Sequence, residues 1–538
     1  MRILHASTAV LFSLTLSACN MGDNDYSDND DDGDSGIGLD KTVVVYATFA
    51  PSSGRSLLYA AASDDSAVHL LAPEQLSSAS IEDYALSPAG TYIAYRTDPV
   101  GADRASLYIA NVYTGEITNI TGRAGGPDGA DEYAWSPTGT HLAYTGGNDF
   151  VAPGRLYIYT RSTDQSLQVS PGEAAGHDLT SLEATPDRLE WSPNGLALAY
   201  RSNYGAVELN AIAPDGSDYR RLSGNTVAGG TVYDMIEWAP NSSRIAYLAA
   251  QDIPDVPEVY VTDFDGTANI QLSPVFSNPR ESLAFYWSPD SQYLAMTIFG
   301  DANLSAVSLE GSAADGSHTW TIASNVTSDG VVDDLTVEWS PDSSYIAYLA
   351  DRNGNGLWEF FSAAVPASGI YTLSDSGSGT WPESSLAWEP MSGLIAYRHD
   401  ADVAEKFELY SAGPTGAAQT KISGTLPADA DVLDASWSMQ GGVLAYRVSD
   451  SDGIELRMFD TTSNATTAVA NFSRAPVLIE PEWPPGTAEL VYTADADTTN
   501  IGELFVADAN GTVRKISHRI DPSAPLTGED VVSFELFP

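Results

Sequence analysis

The chain has 538 residues and carries 73 acidic against 24 basic side chains, a formal charge of −49 at pH 7. Lysine occurs only as Lys41, Lys406, Lys421 and Lys515, and so negative a surface repels phosphate backbones, which excludes nucleic acid as a partner. The charge favours cations, basic partners or plain solvation, while a hydrophobic share of 43% leaves ample material for a packed interior.

Residues 1–18 read as a signal peptide. Arg2 gives the positive start and Ala9 to Leu16 the apolar stretch, which is too short for a spanning helix. It ends in Leu16-Ser17-Ala18-Cys19, with the only cysteine of the chain. This ending resembles the lipobox of bacterial lipoproteins. The resemblance implies that Cys19 is lipidated, that the preceding peptide is removed and that the new amino terminus is acylated. Several fatty acyl chains, palmitate among them, would then hold the protein to a membrane. Asn20, where an aspartate would retain a lipoprotein at the inner membrane, implies the outer membrane, on its periplasmic side or at the cell surface. Residues 19–41 include the run Asp23 to Asp34, which has almost no apolar side chain. They are expected to form a disordered, self-repelling tether.

From residue 42 to 538 one phrase recurs: an aromatic residue, Ser-Pro, a turn, then Ile/Leu-Ala-Tyr. It is clearest at Trp135–Tyr144, Trp191–Tyr200 and Trp339–Tyr348. Looser copies begin at Leu86, Trp238, Trp287, Trp388, Trp437 and Trp483. A strand-built repeat of about 50 residues is the signature of a β-propeller. The copy starting at Asp131 predicts strands Tyr133–Trp135, His141–Tyr144, Arg155–Tyr159 and Ser166–Ser170. Pro137 fixes one φ of the first turn and Gly139 permits a positive one. Trp135 and Tyr144 are assigned to packing between blades.

A second ruler runs alongside. The tyrosine closing strand two lies 13 residues before an aromatic in strand three, as in Tyr95/Tyr108, Tyr144/Tyr157, Tyr348/Phe361 and Tyr492/Phe505. Tyr46/Tyr59 keep the same spacing, so Val43 to Tyr46 read as strand two of a blade without its own first strand. The stretch from Val532 to Pro538 has the first-strand pattern. The expected fold is all-β, a propeller of about ten four-stranded blades closed by pairing of the N- and C-terminal strands. Two smaller propellers are the alternative.

The Ser-Pro-Asp/Asn-Gly/Ser turns, the Ile/Leu-Ala-Tyr strands and the loop Asp351-Arg-Asn-Gly-Asn355 resemble the repeats of TolB-type, WD-like propellers of bacterial periplasmic proteins. The α/β domain that precedes the propeller in TolB has no counterpart here. The repeats also resemble the propeller of prolyl oligopeptidase-type enzymes, whose hydrolase domain is likewise not found. The resemblance implies a fold and a compartment, not an activity.

Chemical motifs are sparse. The sequence has no Gly-x-Ser-x-Gly elbow and no phosphate-cradling glycine loop. Its histidines are scattered and read as surface or turn residues. The stretch Asp351 to Gly356 begins like an EF-hand loop, but its twelfth position is Ser362 rather than a bidentate glutamate. A partial Ca2+ site from Asp351, Asn353, Asn355 and Glu359 is the metal candidate. Aspartates crowd the loops between strands two and three and between blades, which predicts one acidic face. Glu190, Glu237, Glu338, Glu482 and Glu535 each precede the anchor of a first strand, and first strands line a propeller's channel. They are candidates for an acidic channel ring, or for pairing with arginines such as Arg201. The expected function is a lipid-anchored envelope scaffold that binds a protein or glycan partner without catalysis. The alternatives are a glycan lyase or glycosidase using channel carboxylates, and a cation-binding envelope protein.

Overall fold

The computed structural model describes residues 43–537 apart from a set of connecting segments, the longest being 170–186, 324–336, 375–385 and 516–529. The signal peptide, Cys19 and the tether lie outside the described residues.

Ten antiparallel sheets form one ten-blade propeller, and no helix occurs among the described residues. Blades two to nine open with first strands Ser80–Leu86, Glu132–Trp135, Asp187–Trp191, Thr231–Trp238, Leu283–Trp287, Val337–Trp339, Leu386–Trp388 and Asp431–Trp437. In blade ten the first strand shrinks to a single bridge between Glu482 and Val491. Blade one takes Val43–Ala50 as its second strand and Asp530–Phe537 as its first. Val44 faces Leu536, and Val45 faces Glu535. The two ends of the chain therefore close the ring within one sheet, as expected, and the two-ring alternative falls away.

Each element of the repeated phrase has a physical task. The Ser-Pro serine turns its hydroxyl back on the hairpin: Ser288 Oγ accepts from Tyr293 N at 2.9 Å, and Ser340 Oγ accepts from Tyr345 N at 2.9 Å. The residue that ends the turn sits at positive φ, Gly139 at 62° and Gly195 at 70°, where glycine is at ease. The tryptophan reaches sideways to the preceding blade. Trp135 Nε1 donates to Ala85 O at 3.0 Å, Trp191 Nε1 to Ala134 O at 3.0 Å, and Trp437 Nε1 to Ala387 O at 3.1 Å. Each indole thus pins its own first strand to the one before it.

The second ruler becomes direct cross-strand pairing. Tyr95 lies opposite Tyr108, and their rings stack with centroids 5.5 Å apart. Tyr144 and Tyr157 stack at 5.3 Å, Tyr348 and Phe361 at 5.6 Å. Such pairs contribute roughly 0.5–1.5 kcal/mol each beyond burial of their area. Apolar clusters fill the gaps between successive blades, with Leu58 and Tyr95 between blades one and two, and Leu142 and Leu107 between two and three. The assignment of Trp135 and Tyr144 to packing between blades holds.

A third regularity was not read from the sequence. A buried serine or threonine just past strand four accepts from the first backbone amides of strand three, as Ser223 does from Leu209 N at 3.2 Å, Ser273 from Val259 N at 3.0 Å and Ser423 from Leu409 N at 3.1 Å. It ties the outer strand of a blade to the middle of its sheet.

Candidate functional site

The first strands of neighbouring blades touch one another around the axis, so polar residues near their anchors gather. Glu190 of blade four and Glu237 of blade five occupy equivalent positions; Glu237 feels the charge of Glu190, and Glu190 that of Glu132. Burial pushes both carboxyls up to about 7, helped for Glu237 by Glu190, and opposed for Glu190 by the Arg188 guanidinium. Glu338 is also pushed up to about 7 by burial, against the pull of a hydrogen bond from the Trp388 backbone. Tyr286 fills the equivalent position of blade six, between Glu237 and Glu338. Glu482 is exposed, because its strand is only a bridge. Glu535 is placed by its pairing with Val45. Its side chain lies outside the described residues. Glu190, Glu237 and Glu338 thus share one near-neutral titration range.

The arc continues across blades two to five. Arg96 grips Asp83 through Nε at 3.0 Å and also reaches the Asp131 carbonyl at 2.6 Å, while Tyr133 Oη donates to Asp83 at 2.9 Å. The Glu132 carboxylate receives the backbone amides of Arg188 and Leu189, each at 3.1 Å. Arg188, held at φ 54°, sends Nε to the Asp234 carbonyl at 2.6 Å. The cation whose charge acts on the Glu190 carboxyl is Arg188, whereas Arg201 faces Asp187 across the strand pair and reaches the Val232 carbonyl at 3.4 Å.

The metal candidate is placed only in part. Asp351 is buried at the end of its strand, and Glu359 begins strand three opposite Ala350. Asn353 and Asn355 lie outside the described residues. Among the described residues no group of three or more His, Cys, Asp or Glu side chains is arranged to hold a metal ion. The loop aspartates divide in the same way. Asp351 and Asp400 are buried and add nothing to an outer surface, and Asp103, Asp301, Asp333, Asp334, Asp402, Asp495 and Asp497 lie outside the described residues. One histidine departs from the surface reading: His399 is 2% exposed, with Nδ1 3.8 Å from Asp400.

The sequence reading missed carboxylates on the opposite face. The turn between strands three and four carries an exposed aspartate in successive blades: Asp215 in four, Asp265 in five and Asp315 in six. Each binds the residue two positions on. Ser217 N donates to Asp215 at 2.9 Å, Thr267 N to Asp265 at 3.0 Å and Ser317 N to Asp315 at 2.9 Å. The hydroxyls of the same Ser217, Thr267 and Ser317, and then these amide bonds, favour the charged form and hold all three carboxyls below the ordinary range. The signal was present as Asp-Gly-Ser/Thr at Asp215-Gly-Ser217, Asp265-Gly-Thr267 and Asp315-Gly-Ser317.

No protein family and no curated relative matches the sequence. Among solved structures, dipeptidyl peptidase 4 of Porphyromonas gingivalis is similar at 9% identity and a TM-score of 0.45, over 76% of this chain and 64% of that one. A eukaryotic initiation factor is similar at 12% identity and a TM-score of 0.49, over 89% and 96%. A putative TolB from Agrobacterium tumefaciens is similar at 17% identity and a TM-score of 0.28, over 48% and 98%. At these identities the likeness concerns the fold alone. The chain spans 64% of the length of the peptidase.

Proposed function

We propose that this propeller is a lipid-anchored scaffold of the bacterial cell envelope, held at the outer membrane through Cys19, and that it docks a basic protein partner without catalysing a reaction. The observation that carries the reading is the placement of exposed negative charge on ordered turns of the ring. With 73 acidic side chains against 24 basic ones, internal pairing cannot neutralise the chain. Asp215, Asp265 and Asp315 are exposed and locked ionised by their own turns. Charge in fixed positions steers an oppositely charged partner and sets its register. A partner crosslinked on intact membranes, recovered in near-equal amount and released by salt, would support the docking role; its absence would count against it. Loss of membrane attachment in Cys19→Ala tests the anchor separately.

One observation favours a second reading. Glu190 and Glu237 are adjacent carboxyls titrating near neutrality, the kind of pair that glycan cleavage uses as acid and base. Under this reading, turnover of a glycan would disappear in Glu190→Gln and Glu237→Gln.

A further inference from the structure

A cleft of about 850 Å³ opens between blades two and three on the short-turn face, within the roughly 300–1,000 Å³ range of ligand-binding clefts. One of its lining residues, Arg161, differs in type from its counterparts in other blades. The amide of Arg161 donates to Thr140 O, just as Val112 N does to Thr91 O, Phe264 N to Ser243 O, Ala314 N to Gln292 O and Val365 N to Ser344 O. The same backbone position therefore carries an apolar residue in blades two, five, six and seven, with Val112 fully buried and Ala314 nearly so. In blade three it carries a guanidinium.

Among the described residues Arg161 makes no ion pair, although the chain has three acids for every base. Its Nη1 donates to Gly139 O at 2.8 Å, and its guanidinium lies over the Tyr92 ring, 3.5 Å from the centroid. Around it stand Asn111, Glu116, Thr140, His141 and Asp164. Tyr159 Oη donates to Asp164 at 2.8 Å and fixes that carboxylate. His141 Nδ1 lies 2.9 Å from Thr140 Oγ1, and burial holds the imidazole below its ordinary pKa. It is therefore neutral at neutral pH, one nitrogen a donor and the other an acceptor.

Donors and acceptors share the walls, with one cation set against two carboxylates. An anion would meet Glu116 and Asp164, and a cation would meet Arg161. A ligand whose groups each both donate and accept, and which carries no charge, satisfies all of them. We infer that this cleft is a binding site for a neutral saccharide. It stands on other residues than the proposed docking face, and its failure would leave that role intact.

The test is calorimetric titration of the full chain with maltotriose, cellotriose and chitotriose, alongside the variants Arg161→Val and Glu116→Gln. Arg161→Val restores the residue type of Val112 and Val365 and is expected to fold. Glu116 is exposed, so its substitution leaves the ring intact. The imidazole of His141 stacks on Trp191 with centroids 6.1 Å apart, so occupancy is also expected to change the fluorescence of that tryptophan. The expected result is binding of at least one trisaccharide, weakened about tenfold or more in both variants. No binding by any of the three, or binding that both folded variants retain, would overturn the assignment.

Discussion

Trp238 Nε1 donates to the carbonyl oxygen of Glu190 at 3.0 Å, so the bond that joins blade five to blade four ends on the residue whose side chain belongs to the inner polar arc. Fold and site share a backbone here. Replacing Trp238 with Phe removes the donor but keeps a ring, and is expected to cost about 1–3 kcal/mol, the penalty of a buried carbonyl left unpaired. Trp238→Ala also opens a cavity and is expected to cost about 3–5 kcal/mol. Urea midpoints of the two variants check the ranking.

The closing blade can be opened by removing residues 530–538. Val43 to Phe49 then lose their partners from Phe537 to Asp530, which leaves an unpaired strand edge prone to self-association. The truncated chain is expected to melt well below the full one and to elute as larger species in gel filtration.

Stability should fall as pH rises from about 4.5 to about 7. Glu190, Glu237 and Glu338 have folded-state values near 7 against an ordinary value of 4.5. In that window the folded state holds protons that the unfolded state has released, so deprotonation favours unfolding. The total loss is on the order of a few kcal/mol, since all three residues keep partial solvent contact, which screens the groups. The double variant Glu190→Gln, Glu237→Gln should flatten the melting temperature across this window and raise it above pH 7. An unchanged slope would contradict the burial of these carboxyls.

Gly316 sits at φ +69°, and a Cβ there would lie 2.6 Å from Ile270 Cγ2 of the preceding blade. Gly316→Ala is expected to destabilise by about 1–3 kcal/mol through strain and overlap together. In an Ile270→Ala background, which removes the Cγ2 methyl from the contact, thermal melts should show a smaller further loss for Gly316→Ala.

Much of the fold was legible because each blade repeats the same local physics. The 13-residue spacing works where strands two and three are joined by a loop of constant length, as in Tyr95/Tyr108. It fails in blades four, six and nine, where Tyr200 faces Asn210, Met296 faces Glu310 and Tyr446 faces Arg457. There the connecting loop changes length and the partner is polar, so no aromatic pair marks the register. The place of Glu190, Glu237 and Glu338 before their anchors was legible, since the repeated phrase fixes it. Their near-neutral titration was not, because it depends on which blades sit side by side and how deeply they bury a carboxyl. Arg161 was invisible for a related reason. It stands out only when its backbone hydrogen bond reveals the uncharged residues, apolar in blades two, five, six and seven, that occupy the same place.

The measurement that most directly tests the docking account is crosslinked capture from native membranes with two chains in parallel: the wild type and the triple variant Asp215→Asn, Asp265→Asn, Asp315→Asn. The account predicts one basic partner in near-equal amount with the wild type, and its loss with the triple variant while the melting temperature stays close to that of the wild type. Equal recovery of the same partner with both chains, or no enriched partner with the wild type, would contradict it.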